Sequence, residues 1–143
     1  MEALNAGLDK KLFKYLQKSI QETAYYKLLS IELQELAPGR ADFCVVAGQE
    51  HTNPMGLIHG GVMTSIADAA MGNAVRSLGI KGVTVDLSTA LMAAARPGDT
   101  IIARGKVLKT VKNLIFTEAL IYVGENLAGH SKATFFKISD IKY

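Results

Sequence analysis

The chain has 143 residues, of which 49% are hydrophobic and 20% charged, with a formal net charge of +3 at pH 7. That length and apolar content suit one domain, residues 1–143, with one core. The mild, scattered basic excess lacks the basic-aromatic interleaving of a nucleic-acid binder. No apolar run approaches the ~20 residues that span a bilayer, so no membrane partner is expected. The first ten residues lack a signal-peptide core. A single cysteine, Cys44, forms no internal disulfide, which fits the cytoplasm. Between Phe43 and Val45, Cys44 reads as a packed core thiol.

Residues 8–23 carry Leu12, Phe13, Leu16 and Ile20 at helical spacing. They predict an N-terminal helical segment (residues 1–24) docked on the body, with Tyr25 and Tyr26 continuing its packing. Residues 29–36 and 40–48 are strand-like, joined by a turn at Pro38-Gly39. Residues 51–58 form a loop. Residues 59–78 predict a long, mostly apolar and therefore buried helix, ended by Gly79. Four strands follow: 82–92, 100–110, 113–123 and 127–138. Turns fall at Pro97-Gly98-Asp99, Val111-Lys112 and Glu125-Asn126. The expected architecture is α+β: an antiparallel sheet wrapped around one long central helix, preceded by an N-terminal helix.

The densest chemistry lies in residues 51–71, H-T-N-P-M-G-L-I-H-G-G-V-M-T-S-I-A-D-A-A-M. Gly60 and Gly61 at a helix start offer bare backbone N–H groups to an anionic oxygen. Asp68, among Ile66, Ala67, Ala69 and Ala70, is a carboxylate in apolar surroundings that disfavour its charge. These are the two halves of an acyl-transfer site, an oxyanion hole and a base or nucleophile. By its spacing alone, Asp68 also suits a buried acid tied to a neighbouring hydroxyl. Gly60-Gly61 also suits a plain turn. His51 and His130 show no partner pattern, and no residues have metal-ligand spacing.

Asn53–Ala70, with G-V-T-V-D-L at residues 82–87 and A-R-P-G-D at residues 95–99, resembles the hotdog-fold acyl-CoA thioesterases. The likeness is to their PaaI-like, phenylacetate-pathway branch, which includes the mammalian thioesterase-superfamily-member-2 type. The resemblance implies a hotdog fold, hydrolysis of aryl- or fatty acyl-CoA to free acid and CoA, and a homodimer paired into a homotetramer. It implies that Asn53 positions the thioester or water and that the Gly60 N–H polarises the carbonyl. Asp68 would act as general base or nucleophile, Thr84 would hold the attacking water, and His59 would orient the loop. No cofactor is implied, because CoA is part of the substrate. Ala90-Leu91-Met92 departs from the bulkier or more polar run of many relatives, which leaves the acyl preference open.

CoA phosphates call for basic groups near the site. Lys109, Lys112 and Lys132 are candidates, with Gly61 as a backbone contact and Arg96 and Arg104 as further cations. Helix geometry adds a constraint. Gly60 and Asp68 are eight residues apart, roughly 12 Å along a helix. One carbonyl therefore draws Gly60 from one subunit and Asp68 from another, in a symmetric dimer. The face Gly61, Ser65, Asp68, Gly72 suits close packing against a second subunit, an acyl channel or the chain's own sheet. Two alternatives stand beside thioester hydrolysis: a hotdog enoyl-CoA hydratase or dehydratase, and a non-catalytic acyl-CoA binding module.

Overall fold

A computed structural model describes residues 2–143. The elements in chain order are β1 (Leu4–Asn5), α1 (Lys10–Glu22), α2 (Ala24–Leu29), β2 (Glu32–Ala37) and β3 (Arg40–Val46). A 3-10 turn (Gln49–His51) follows, then α3 (Gly60–Arg76), β4 (Ile80–Leu91), β5 (Thr100–Val111), β6 (Leu114–Val123) and β7 (Asn126–Asp140). The strands form one seven-stranded sheet in the order β1-β2-β3-β5-β6-β7-β4. The sheet is mixed rather than purely antiparallel, because β1 pairs with β2 in parallel, Leu4 opposite Glu35. Two residues are too short a segment to carry a strand pattern, so the sequence does not announce it.

Asp9 starts α1 by accepting the backbone N–H groups of Lys11 and Leu12 at 3.0 and 3.1 Å. Leu12, Leu16 and Ile20, spaced one turn apart, bury the inner face of α1. The helical segment runs beyond residue 24, to Leu29. Thr23 takes an extended conformation that breaks the helix, and Ser30 closes α2 at φ 59°. Leu29 therefore ends a helix instead of opening a strand, and β2 begins only at Glu32.

The concave face of the sheet packs on α3. Along β6, Ile115, Thr117, Ala119 and Ile121 are buried while their neighbours face outward. The same alternation corrects the reading of Cys44. Buried Phe43 and Val45 point inward, so Cys44 between them lies half-buried on the outward face. The tightest helix–sheet contact is at Gly105 on β5. A Cβ there would lie 2.5 Å from the Ala70 carbonyl carbon and 2.7 Å from the Met71 nitrogen. A side chain at that point would push α3 off the sheet. Gly72 faces the same sheet, where a Cβ would meet the Phe135 ring at 3.5 Å. Gly72 thus faces the chain's own sheet, at a distance where a methyl group would make ordinary contact.

Strand β4 is different. It pairs with β7 on one side, Thr84 opposite Phe135 and Leu91 opposite Gly129, and ends the sheet. Among the described residues its other edge has no partner, and Val83, Val85, Leu87 and Leu91 are exposed. Among the described residues, no helix is long and apolar enough to cross a membrane.

Candidate active site

The loop before α3 is held by its own side chains. Asn53 Oδ1 accepts the N–H groups of Met55 and Leu57 at 2.9 and 3.2 Å, and the Asn53 and Gly56 amides close the turn. Gly56, at φ 78°, supplies the left-handed residue this turn needs. The Asn53 carbonyl oxygen is thus used in shaping the loop, which leaves its Nδ2 as the group free to meet a ligand.

His59 caps α3, its Nδ1 accepting the Gly61 N–H at 2.7 Å. The Val62 N–H goes to the His59 carbonyl at 3.0 Å. Gly60 is the first helical residue, so its N–H has no intrahelical acceptor. Among the described residues nothing else takes it. Of the first three amides, Gly60's alone has no acceptor among the described residues, while Gly61's is already occupied. A Cβ at residue 60 would lie 2.9 Å from Leu91 Cδ1. The start of α3 therefore sits against the far end of β4.

Asp68 lies two turns further along α3, half-buried. The Thr84 hydroxyl on β4 donates to its Oδ1 at 3.1 Å. Burial pushes the Asp68 carboxyl above the usual carboxylate range, and the Thr84 hydrogen bond partly restrains that rise. No cation among the described residues comes within salt-bridge distance of it. A half-buried carboxylate with a raised pKa, one hydroxyl partner and no counter-charge suits a general base. The structure brings Asp68 and Thr84 together. It keeps Gly60 apart from them within one chain, against the opposite end of β4.

The N-terminal helices border this site. The hydroxyls of Tyr25 and Ser65 are 2.6 Å apart. Asn73 Nδ2 donates to the Tyr26 hydroxyl at 3.2 Å, and Arg76 donates to Asn73 Oδ1 and Ser19 Oγ at 2.8 and 2.7 Å. Burial raises the Tyr26 phenol's pKa, the Asn73 bond opposes this, and the negative charge of Asp68 adds to it.

His51 has a place that its sequence context hides. Its Nδ1 accepts the Gly48 N–H at 2.9 Å, which puts the ring proton on Nε2, 2.8 Å from the Leu29 carbonyl. Fully buried, it ties the loop to the end of α2. His130 pairs with Glu118 at 3.2 Å on the outward face, so it has a partner after all.

The expected CoA lysines are not gathered at Asp68. Lys132 lies on β7 between buried Ser131 and Ala133, so it faces away from α3, opposite Glu118 and Ser88. Lys109 pairs with Phe116 on the same outward face, and Lys112 forms the β5–β6 turn at φ 56°. Arg104 lies against Asp42 and the Tyr122 ring, also outward, and the Arg96 N–H closes the turn onto Asp99. A cleft of about 750 Å³ opens between α1, α2 and β2, and none of the candidate catalytic residues line it.

Fold and site together define a hotdog-type protein with a carboxylate on its central helix. Residues 55–129, more than half of the chain, match the model of the Thioesterase superfamily, and the chain belongs to that superfamily. It is similar to human acyl-coenzyme A thioesterase 13, 35% identical over 89 residues. That alignment takes in 61% of this chain and 64% of the human protein, so the match spans less than two thirds of the relative's length. Among solved structures it resembles the Escherichia coli PaaI protein of the phenylacetic acid degradation operon, with a TM-score of 0.88 over 94% of this chain and 99% of that one. A hypothetical thioesterase from Streptococcus pneumoniae, solved with coenzyme A, superposes with a TM-score of 0.75 over 78% of this chain and 91% of that one. At 20% and 21% identity, these two likenesses establish the fold.

Proposed function

We propose that this protein is an acyl-CoA thioesterase in which Asp68 activates water, or attacks directly, at a thioester carbonyl polarised by the Gly60 N–H. The observation that carries the reading is the Asp68–Thr84 pair. A carboxylate short of solvation and lacking a cation is bonded to a hydroxyl able to hold the attacking water. The activity named for the human relative and the coenzyme A held by the streptococcal protein point to the same substrate class. The hydratase alternative needs a histidine working with an acid. Here His59 is committed to capping α3 through Gly61. CoA enters as part of the substrate, and the reaction uses no other cofactor.

The site is completed by a second copy. β4 offers a twelve-residue unpaired edge with exposed valines and leucines, a surface that invites another strand. Pairing two β4 edges antiparallel about a two-fold axis at Ser88 sets Leu87 opposite the partner's Thr89 and, with the bulge between Thr84 and Asp86, Thr84 and Val85 opposite the partner's Leu91. Thr84 holds Asp68, and Leu91 abuts Gly60. This register therefore delivers the partner's Gly60 amide to Asp68, twice per dimer. A homotetramer is the proposed assembly of two such dimers. Lys109 and Lys132, facing away from their own α3, and Lys112, in the β5–β6 turn, reach CoA only from a neighbouring subunit.

The test is thiol release from a panel of aryl- and fatty acyl-CoAs by the parent protein and by Asp68→Asn. Loss of general-base assistance lowers kcat by roughly 10²–10⁴. Full turnover by Asp68→Asn would sink the assignment. Tight acyl-CoA binding without thiol release by the parent would leave a binding module instead.

A further inference from the structure

The α2 side of the site has a feature that the proposed chemistry does not use. Tyr25 is 52% exposed, yet its hydroxyl is pinned 2.6 Å from Ser65 Oγ. A tyrosine that merely faces water leaves its hydroxyl in water and keeps its rotamer freedom. Here the hydroxyl is held while half of the residue stays exposed. The helix that carries it is fixed as well. Tyr26 packs on Phe43 with ring centroids 5.9 Å apart and is bonded to Asn73, while His51 holds the Leu29 carbonyl.

Ser65 and Asp68 are one turn apart on α3, about 5–6 Å between Cβ atoms. Ser65 leans toward α2 and Asp68 toward β4. Thr84 thus meets the carboxylate from the β4 side, while Tyr25 meets α3 one turn earlier, at Ser65, from the α2 side. On the thioesterase reading, which this inference rests on, the partner's Gly60 arrives along β4. The acyl group is left the opposite side.

We infer that Tyr25 determines acyl-group specificity, its ring walling the acyl path beside Asp68 and limiting the length and bulk of the chain accepted. The Ser65 hydroxyl keeps that wall upright. Without the ring, a longer acyl chain extends over Ser65 toward α2. Without the hydroxyl contact, the ring swings and the limit loosens.

The experiment compares kcat/KM for acetyl-, octanoyl- and dodecanoyl-CoA in the parent, Tyr25→Ala, Tyr25→Phe and Ser65→Ala, with Lys27→Ala, on the opposite side of α2, as control. The expected result is a rise of about tenfold or more in the dodecanoyl-to-acetyl ratio for Tyr25→Ala, the scale on which a pocket senses methylenes. Tyr25→Phe and Ser65→Ala shift the ratio less, and Lys27→Ala leaves it unchanged. An equal fall for all three substrates, an unchanged profile, or dissociation of the assembly in Tyr25→Ala would overturn the inference. Binding of non-hydrolysable oxoalkyl-CoA analogues of the same lengths reads the wall without turnover. If the parent releases no thiol yet Tyr25→Ala still gains affinity for the long analogue, the hydrolytic reading fails and the wall stands. If the variant gains none, the wall fails whatever the turnover.

Discussion

Strands β6 and β4 both carry apolar side chains and put them to opposite uses. On β6 the residues alternate, with Ile115, Ala119 and Ile121 buried against α3 and Phe116, Glu118 and Leu120 facing outward. β6 has a partner on each side, β5 and β7. On β4, Val83, Val85, Leu87 and Leu91 are exposed whichever way they point, and one edge has no partner. A strand that spends its apolar side chains on its own core follows the period of two. A strand that saves them for another molecule does not, and its long free edge is a liability unless something covers it. The candidate catalytic residues fall on the second kind of surface. Asp68 is held by Thr84 of β4, and Gly60 lies against Leu91 of β4.

The comparison is broken most sharply at Gly60. Proline is accepted at the first position of a helix, because that N–H has no intrahelical acceptor. His59, at φ −60° and ψ 136°, already has the extended conformation that precedes proline. Gly60→Pro should therefore keep α3 while deleting the proposed oxyanion donor, at a cost of roughly 10²–10³ in kcat, and Gly60→Ala, whose Cβ crowds Leu91 Cδ1 alike but which keeps the N–H, should lose far less. Circular dichroism should be unchanged. Mixing Gly60→Pro with Asp68→Asn subunits under exchange then decides whether the site is shared. If it is, each heterodimer regains one intact site, and about a quarter of the parent's activity returns at equal mixing. No recovery in verified heterodimers would place both groups in one chain's site.

The central helix was legible because its signals agree. An apolar run follows a histidine and two glycines, although α3 ends at Arg76, and Gly79 turns the chain three residues later. Asp68 and Thr84 were legible as a pair only through the motif, since a threonine on a strand is ordinary in itself. Other features depend on tertiary partners that no local pattern reports. The break at Thr23 and the short α2 are set by Tyr25 and Tyr26 reaching α3, forty and forty-seven residues away. Gly105 looks like any strand glycine until Ala70 is placed against it. Cys44 reads as a core thiol from its apolar neighbours, whereas in a strand those neighbours face the other way. The edge position of β4 was hidden for a related reason. It follows α3 in the chain but pairs with the last strand, so its place in the sheet emerges only from the topology.

The two strands also separate by the kind of damage they allow. Ile121→Ala on β6 opens a cavity in a fully buried site and should cost about 2–5 kcal/mol of stability. The loss would be visible as an earlier denaturation midpoint whatever the assembly state. Val85→Lys on β4 changes an exposed residue. It should move the stability of the isolated chain by no more than about 0.5 kcal/mol, while the added charge blocks edge pairing. Sedimentation should show smaller particles and the assay a loss of turnover. A dimer that survives Val85→Lys with full activity would remove β4 from the interface.

The finest test is the pH dependence of Asp68. Because burial holds its carboxyl above the ordinary range, the acidic limb of kcat/KM should lie above that of an exposed aspartate. Thr84→Val removes the hydrogen bond that favours the charged form, so the limb should move further toward alkaline pH. A limb that stays in place or moves toward acid would separate Thr84 from the titrating group. Stability should follow the same linkage. A carboxyl whose pKa is raised on folding binds its proton more tightly in the folded chain. Its ionisation therefore weakens the fold as pH climbs from the unfolded pKa through the folded one. Asp68→Asn lacks that ionisation, so it should be more stable than the parent at neutral pH, with the advantage fading as pH falls below the usual aspartate range. Greater stability together with lost activity is the signature of a charge kept in place for chemistry rather than for folding. A neutral-pH loss of stability in Asp68→Asn would instead mark Asp68 as a structural acid tied to Thr84.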